Sequence, residues 1–195
     1  MQEFDALLEL LALLIKEPRT AVLLILLVMA SISDYRTFKI PNWLTVGGIV
    51  FALGYNTIAP FSRQESGLLW ALGGITIGFL SMLPAYVLRI MGAGDVKLMA
   101  MVGAFLGVTD AWHAVIFSFI AGGVGAVMFA VSNKGFTRML GNVKNMTQMM
   151  VYSAIGGFKP DVQIESSQSV GKLPYGICIS IGTITYIVSK QLGYA

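Results

Sequence analysis

Charged residues are scarce in this chain. Only 12% of its 195 residues are charged, 56% are hydrophobic, and the mean hydropathy is +0.76. A soluble domain carries about 25% charged residues. The composition therefore excludes a soluble globular protein and predicts an integral membrane protein surrounded by lipid. The net charge of +3 is small and lies mostly between the apolar runs, so we interpret it as a topology signal and predict no nucleic-acid partner.

Cysteine and histidine are also nearly absent. The one cysteine, Cys178, can form no intrachain disulfide and no CxxC zinc or redox motif. The one histidine, His113, stands beside Trp112 and is typical of a membrane interface. No cluster of acidic and histidine residues with metal-ligand spacing is apparent. The sequence thus predicts neither a metal nor a cofactor.

The uncharged runs predict an all-α bundle. A helix crosses a bilayer with about 20 apolar residues, and the runs 40–62, 66–88 and 111–133 reach that length. A fourth run, 173–189, is slightly short, and two more, 20–33 and 98–109, are too short alone. Together they predict about six transmembrane helices in one domain spanning 1–195. A cytoplasmic loop is predicted at about 132–172, with 139–152 either a surface helix or a mobile segment.

Two aspartates flank the short runs. Asp34 directly follows 20–33, and Asp95 shortly precedes 98–109. Each helix reaches a useful length only if it includes its aspartate, which places both carboxylates at the membrane–water boundary. Two spans separate them, so both lie on the same side of the membrane. A carboxylate at a membrane is costly and marks a candidate functional site.

Basic residues indicate which side that is. Most of the 13 lysines and arginines fall in segments on the aspartate side. By the positive-inside rule, that side is the cytoplasm. The sequence therefore predicts a multi-pass protein of the inner (plasma) membrane, with both termini outside and both aspartates facing the cytoplasm.

The residues around the aspartates suggest paired acid–base chemistry. Gly92 and Gly94 let the backbone turn tightly before a helix whose positive end stabilises Asp95. The simpler interpretations are a helix N-cap for Asp95 and an ion pair with Arg36 or Lys39 for Asp34. Two close carboxylates do not both ionise easily, so one can activate water while the other, protonated, polarises a carbonyl. That is the chemistry of an aspartic protease.

Two motifs resemble the signatures of type IV prepilin peptidases, which are polytopic aspartic proteases with a GxGD motif. They are SDYRTFKIPN at 33–42 and GAGDVKL at 92–98, and KLPYG at 172–176 resembles the start of the family's last helix. The resemblance implies cleavage of prepilin leader peptides at the cytoplasmic membrane face. It implies Asp34 and Asp95 as the catalytic pair, with Gly92 and Gly94 shaping the site. Lys97 also matches the motif, and one role for it is to pair with a carboxylate.

Longer family members carry paired CxxC motifs and N-methylate the mature pilin. With its single cysteine, this chain resembles the short, peptidase-only branch of the TadV/CpaA type, which serves Flp/Tad-like pili, or the archaeal preflagellin peptidases. Methyltransferase activity is therefore not expected. The predicted partners are prepilins or pilin-like precursors, and the oligomeric state is left open.

Three alternatives remain open. A broader GxGD intramembrane protease of the presenilin type shares one motif, but the D-x5-I-P-N segment argues against it. A proton-coupled transporter would use membrane carboxylates as a relay, but it would place them near mid-span and show an internal repeat. A non-catalytic assembly factor of a pilus machine differs from the peptidase only in activity.

Overall fold

The computed structural model describes residues 17–58, 67–88, 90–132, 141, 144, 148 and 174–193. Over these ranges the chain is helical and contains no strand, which confirms the all-α prediction. The helices are α1 (Pro18–Thr37), α2 (Asn42–Ile58), α3 (Leu68–Val87), α4 (Ala93–Ser132) and α5 (Tyr175–Gln191). The predicted 132–172 loop and its 139–152 surface helix lie almost entirely outside the described residues.

Helix α1 extends past its apolar run and includes Asp34, as the run length predicted. It begins at Pro18, a residue suited to the first turn because its missing N–H would have no helical partner there. It ends where Phe38 takes a left-handed conformation (φ 51°) and donates its backbone N–H to the carbonyl of Asp34 at 2.8 Å. Asp34 is thus on the last turn of a 20-residue helix.

Helix α4 covers two predicted spans and is divided by Gly107. Its 40 residues would make a straight helix about 60 Å long, twice the hydrocarbon thickness of about 30 Å. Gly107 has non-helical angles (φ 77°, ψ −175°), and the Trp70 ring occupies the space that a Cβ would need. The sequence separated these spans at Asp110. That boundary is wrong, because α4 continues through Asp110 and is broken at Gly107. The Asp110 carboxylate is accommodated within the helix since Tyr186 and Lys190 bind it.

The second half of α4 returns toward the end of the bundle where α4 began. A Cβ at Gly122 would overlap the Tyr175 ring, and one at Gly125 would lie 3.2 Å from the Cys178 Sγ. Both contacts are with the first turn of α5, which itself adjoins Asp34. Counting α4 twice, the described helices approximate the six predicted segments. By length and composition α1, α3 and α4 can each cross a membrane, which confirms a membrane bundle.

The first half of α4 lies at the centre. Its side chains at Leu98, Met99 and Phe105 are fully buried. Glycines allow α3 to approach it closely, since a Cβ at Gly74 would overlap the carbonyl oxygen of Gly103. The other helices expose large apolar side chains outward, as a lipid-facing surface requires. Asp95 therefore begins the most enclosed helix of the bundle.

Candidate active site

The carboxylate of Asp34 is held by the last helix of the chain. Asp34 is only 5% exposed, and its Oδ2 accepts a hydrogen bond of 2.7 Å from the backbone N–H of Gly176. Gly176 lies in the first turn of α5, where unpaired N–H groups and the helix dipole stabilise an anion. No ion pair joins Asp34 to Arg36 or Lys39, both of which the structure describes. The simpler interpretation of Asp34 as a charge paired with one of them is wrong.

The carboxylate of Asp95 is held by the start of its own helix. Asp95 lies in the first turn of α4 and is 8% exposed. Its Oδ2 accepts a hydrogen bond of 3.0 Å from the backbone N–H of Gly92. This is the geometry of an acidic residue that reaches back from the third helical position, as in a capping box. Asp95 is therefore not the N-cap itself, as the simpler interpretation of the sequence had it.

The two carboxylates line one cavity. Its volume is about 300 Å³, and its walls come from the end of α1, the α1–α2 connection and the start of α4. The lining residues are Asp34, Phe38, Lys39, Ile40, Asn42, Gly92, Ala93, Gly94, Asp95 and Lys97. The structure thus brings together all five residues that the sequence singled out.

The predicted glycines allow the connection from α1 to approach α4. A Cβ at Gly94 would lie 3.3 Å from the Cβ of Ile40, and one at Gly92 would lie 3.5 Å from the Asp95 Oδ2. The connection itself is held by the Ser33 hydroxyl, which donates to the Lys39 carbonyl at 2.9 Å. Ile40 is thereby packed between the start of α4, which carries Asp95, and the start of α5, which holds the Asp34 carboxylate.

Lys97 has a different partner from the one that the sequence suggested. Its Nζ donates a hydrogen bond of 2.9 Å to the Oδ1 of Asn42, across the mouth of the cavity. Within the described part of the chain, neither Asp34 nor Asp95 forms an ion pair. Lys97 therefore links the first turn of α2 to the second turn of α4, rather than neutralising a carboxylate.

Gly176 is the site residue that the sequence did not single out. A Cβ there would lie 2.9 Å from the Asp34 Oδ2 and 3.0 Å from the Cδ1 of Ile40. Only glycine lets the α5 backbone come this close to the carboxylate. The signal was present in the KLPYG motif at 172–176, which was noted as a helix start but not as part of the site.

The arrangement supplies two acid–base groups to one small volume. Two buried carboxylates in one cavity are costly to ionise together, because burial disfavours the charged form of each and their charges repel. Over the described residues, no group of three or more His, Cys, Asp or Glu side chains could hold a metal ion. What the described cavity can provide is a carboxylate, a carboxylic acid and backbone amides at two helix starts.

Comparison of the sequence with known proteins identifies its family. The chain is 32% identical over 101 residues to the "Prepilin leader peptidase/N-methyltransferase" of Bacillus subtilis (strain 168). That match covers 52% of this chain and 40% of the relative, so the chain spans less than half of the relative's length. No solved structure gives a significant match. A sequence model of the type IV leader peptidase family matches residues 21–127, more than half of the chain and both aspartates, and the chain therefore belongs to that family.

Proposed function

We propose that this protein is a membrane aspartic endopeptidase that removes the leader peptide from type IV prepilins of the Flp/Tad-like class. The observation that carries the proposal is the joint placement of Asp34 and Asp95, both buried, on the wall of one cavity. Family membership and the relative's name support the leader-peptide substrate. We do not extend the proposal to N-methylation, because a pair of carboxylates accounts for hydrolysis alone.

In the proposed mechanism the two carboxyl groups share one proton. The ionised group removes a proton from water, whose oxygen attacks the scissile carbonyl carbon, while the protonated group donates to the carbonyl oxygen. The tetrahedral intermediate then collapses as the leaving amine takes a proton from the pair. The Gly176 and Gly92 amides hold one oxygen of each carboxylate, so the pair keeps its geometry through both proton transfers.

The proposed site lies where a membrane-inserted precursor would leave the bilayer. Asp34 ends α1 and Asp95 begins α4, so the cavity lies at helix ends rather than at mid-span. The distribution of basic residues supports a cytoplasmic orientation in the plasma membrane. We propose that residues 1–195 form one peptidase domain around this cavity.

Cleavage of a co-expressed Flp-type prepilin, followed as a gel shift, tests the proposal. Asp34→Asn and Asp95→Asn keep the side-chain size but remove the titratable group, and each is expected to abolish processing. Asp110→Asn is the matched control, because Asp110 lies away from the cavity and binds Lys190 and Tyr186. With equal membrane levels of all three variants, processing that survives either change at Asp34 or Asp95 would overturn the two-aspartate mechanism.

The orientation has its own test. Lys39 is exposed and lines the cavity, and Cys178→Ser leaves the chain without cysteine. A Lys39→Cys change in that background is expected to react with a membrane-impermeant maleimide in inverted vesicles. Labelling in right-side-out vesicles instead would contradict the cytoplasmic placement.

A further inference from the structure

A second cavity lies beside the candidate active site. It is a groove of about 500 Å³ between the second half of α4 and α5, and its walls are almost wholly apolar. Side chains of α4 line one wall and side chains of α5 line the other. The walls include Ile120, Val124 and Met128 from α4, and Ile177, Cys178 and Ile181 from α5.

The groove has the shape of a helix-binding site. Its wall residues recur every three or four positions, so they form one stripe along each helix. On α5 and its N-cap residue they extend from Pro174 to Thr185, a length of about 16 Å or three helical turns. An apolar helix placed in such a groove is a recurrent mode of peptide recognition.

One end of the groove adjoins the candidate active site through the first turn of α5. Ile177 and Cys178 line it, and they directly follow Gly176, whose N–H binds the Asp34 carboxylate. From there the α5 wall continues along the helix, away from the aspartates. A polypeptide with its scissile bond at Asp34 and Asp95 could thus continue directly into the groove.

We propose that this groove binds the apolar segment of the precursor that adjoins the scissile bond, held as a helix against α4 and α5. The inference rests on the proposed function and adds the surface that holds the substrate. A lipid acyl chain could occupy any lipid-facing groove, so the position of this groove beside the aspartates does not favour a lipid as its occupant. A polypeptide whose scissile bond reaches the aspartates must run beside them, and the groove starts there. The segment recognised is uncharged, because the walls offer almost no polar partner to a charged side chain.

Bulky substitutions at matched positions on α4 test the groove. Val124 lines it and Val127 does not, although both are valines exposed on the same helix. With purified protein and a Flp-type prepilin in detergent, Val124→Trp is expected to raise KM roughly tenfold, the scale of losing one apolar anchor, with kcat unchanged. Val127→Trp is expected to change neither. Ile120→Trp and Ile116→Trp provide a second pair with the same design, since only Ile120 lines the groove.

The single cysteine allows a direct test of the occupant. Cys178 lines the groove, so a prepilin with one cysteine in its apolar segment is expected to form a disulfide with the Asp95→Asn variant under mild oxidation. A Cys178→Ser, Val127→Cys version of that variant is expected to form none. Equal disulfide formation at both positions would overturn the proposal.

The remaining outcomes separate the two proposals. Cleavage by the wild type with Val124→Trp and Val127→Trp behaving alike would overturn the groove and leave the peptidase standing. A Cys178–Cys178 disulfide between two copies, formed without precursor, would instead make the groove an interface between copies. Both proposals would be overturned if the wild type cleaved no prepilin and Val124→Trp formed as much of the disulfide with the precursor as a protein without that change.

Discussion

Two acidic sites in the described part of the bundle are treated differently: the pair Asp34 and Asp95, and Asp110. Asp110 accepts hydrogen bonds from the Tyr186 hydroxyl at 2.8 Å and the Lys190 ammonium at 2.5 Å. Asp34 and Asp95 instead accept backbone N–H groups from Gly176 and Gly92. Asp95 and Asp110 lie on opposite sides of the break in α4 at Gly107.

The difference distinguishes a carboxylate that joins helices from one that is available for chemistry. At Asp110 a cation cancels the charge, and the contact ties α4 to α5. At Asp34 and Asp95 no described cation does so, and the carboxyl groups keep their capacity to gain and lose a proton. Amide donors fix the position of such a group without neutralising its charge. We expect changes near the aspartate pair to lower activity, and changes near Asp110 and Gly107 to lower stability.

The largest effect is expected at Gly176. A Cβ in Gly176→Ala would crowd the Asp34 Oδ2 and the Ile40 Cδ1, and a displacement of about 1 Å at a catalytic group can cost about 100-fold in rate. Prepilin cleavage is therefore expected to fall by about that factor, with little change in the unfolding midpoint. Gly123→Ala is the control, because nothing lies within 4 Å of its added Cβ. Equal activity in the two variants would contradict the role given to Gly176.

Gly107→Ala is expected to act on stability. The backbone angles of Gly107 (φ 77°, ψ −175°) lie in a region open essentially to glycine alone and cost another residue about 1–3 kcal/mol, and an added Cβ would overlap the Trp70 ring. We expect a loss of about 2 kcal/mol or more, seen as a lower thermal midpoint in detergent. Gly54→Ala, an unobstructed helical position on α2, should not lower it. If Gly107→Ala kept full stability but cleaved prepilin poorly, the assignment of stability to this region and activity to the aspartate pair would be contradicted.

The Lys97–Asn42 hydrogen bond is expected to have an intermediate effect on activity. It joins α2 to α4 at the cavity mouth, so Lys97→Met and Asn42→Leu should each lower the cleavage rate by about fivefold, the scale of one hydrogen bond. If the two residues act as a pair, the double variant should be no slower than either single one. If the losses in cleavage rate of the two single variants multiplied in the double variant, the two residues would act independently.

The smallest effect is expected for Asp110→Asn. The Lys190 side chain is 40% exposed, so the ion pair is screened by solvent and its loss should cost about 0.5 kcal/mol. The thermal midpoint should fall slightly at low salt and less at high salt. Cleavage should be unchanged, and a marked loss of cleavage would remove the distinction between the two regions.

Much of the fold could be predicted from the lengths of the uncharged runs. The runs before Asp34 and after Asp95 were too short to cross a membrane, which required both helices to include their aspartates, as α1 and α4 do. The parity of the spans put both carboxylates on one side, and the structure has them on one cavity. These inferences depend only on length and charge, which a single sequence displays.

Contacts between distant segments could not be predicted in the same way. The break in α4 falls at Gly107, where the Trp70 ring from α3 occupies the space that a Cβ would need, and nothing near Gly107 in the sequence indicates that neighbour. Asp110 looked like a helix boundary because its partners, Tyr186 and Lys190, lie on α5. Gly176 was missed for the same reason, since its importance depends on Asp34.

The bond between Gly176 and Asp34 also has a consequence for biosynthesis. It joins residues 142 positions apart. The ribosome therefore adds Gly176, whose N–H holds the Asp34 carboxylate, long after it has added Asp34 and Asp95. A nascent chain whose first four helices have been inserted carries both carboxylates but not the amide that holds one of them. The order of synthesis therefore delays the complete site until α5 has joined the bundle, and we expect a chain interrupted before that helix to lack the proposed peptidase activity.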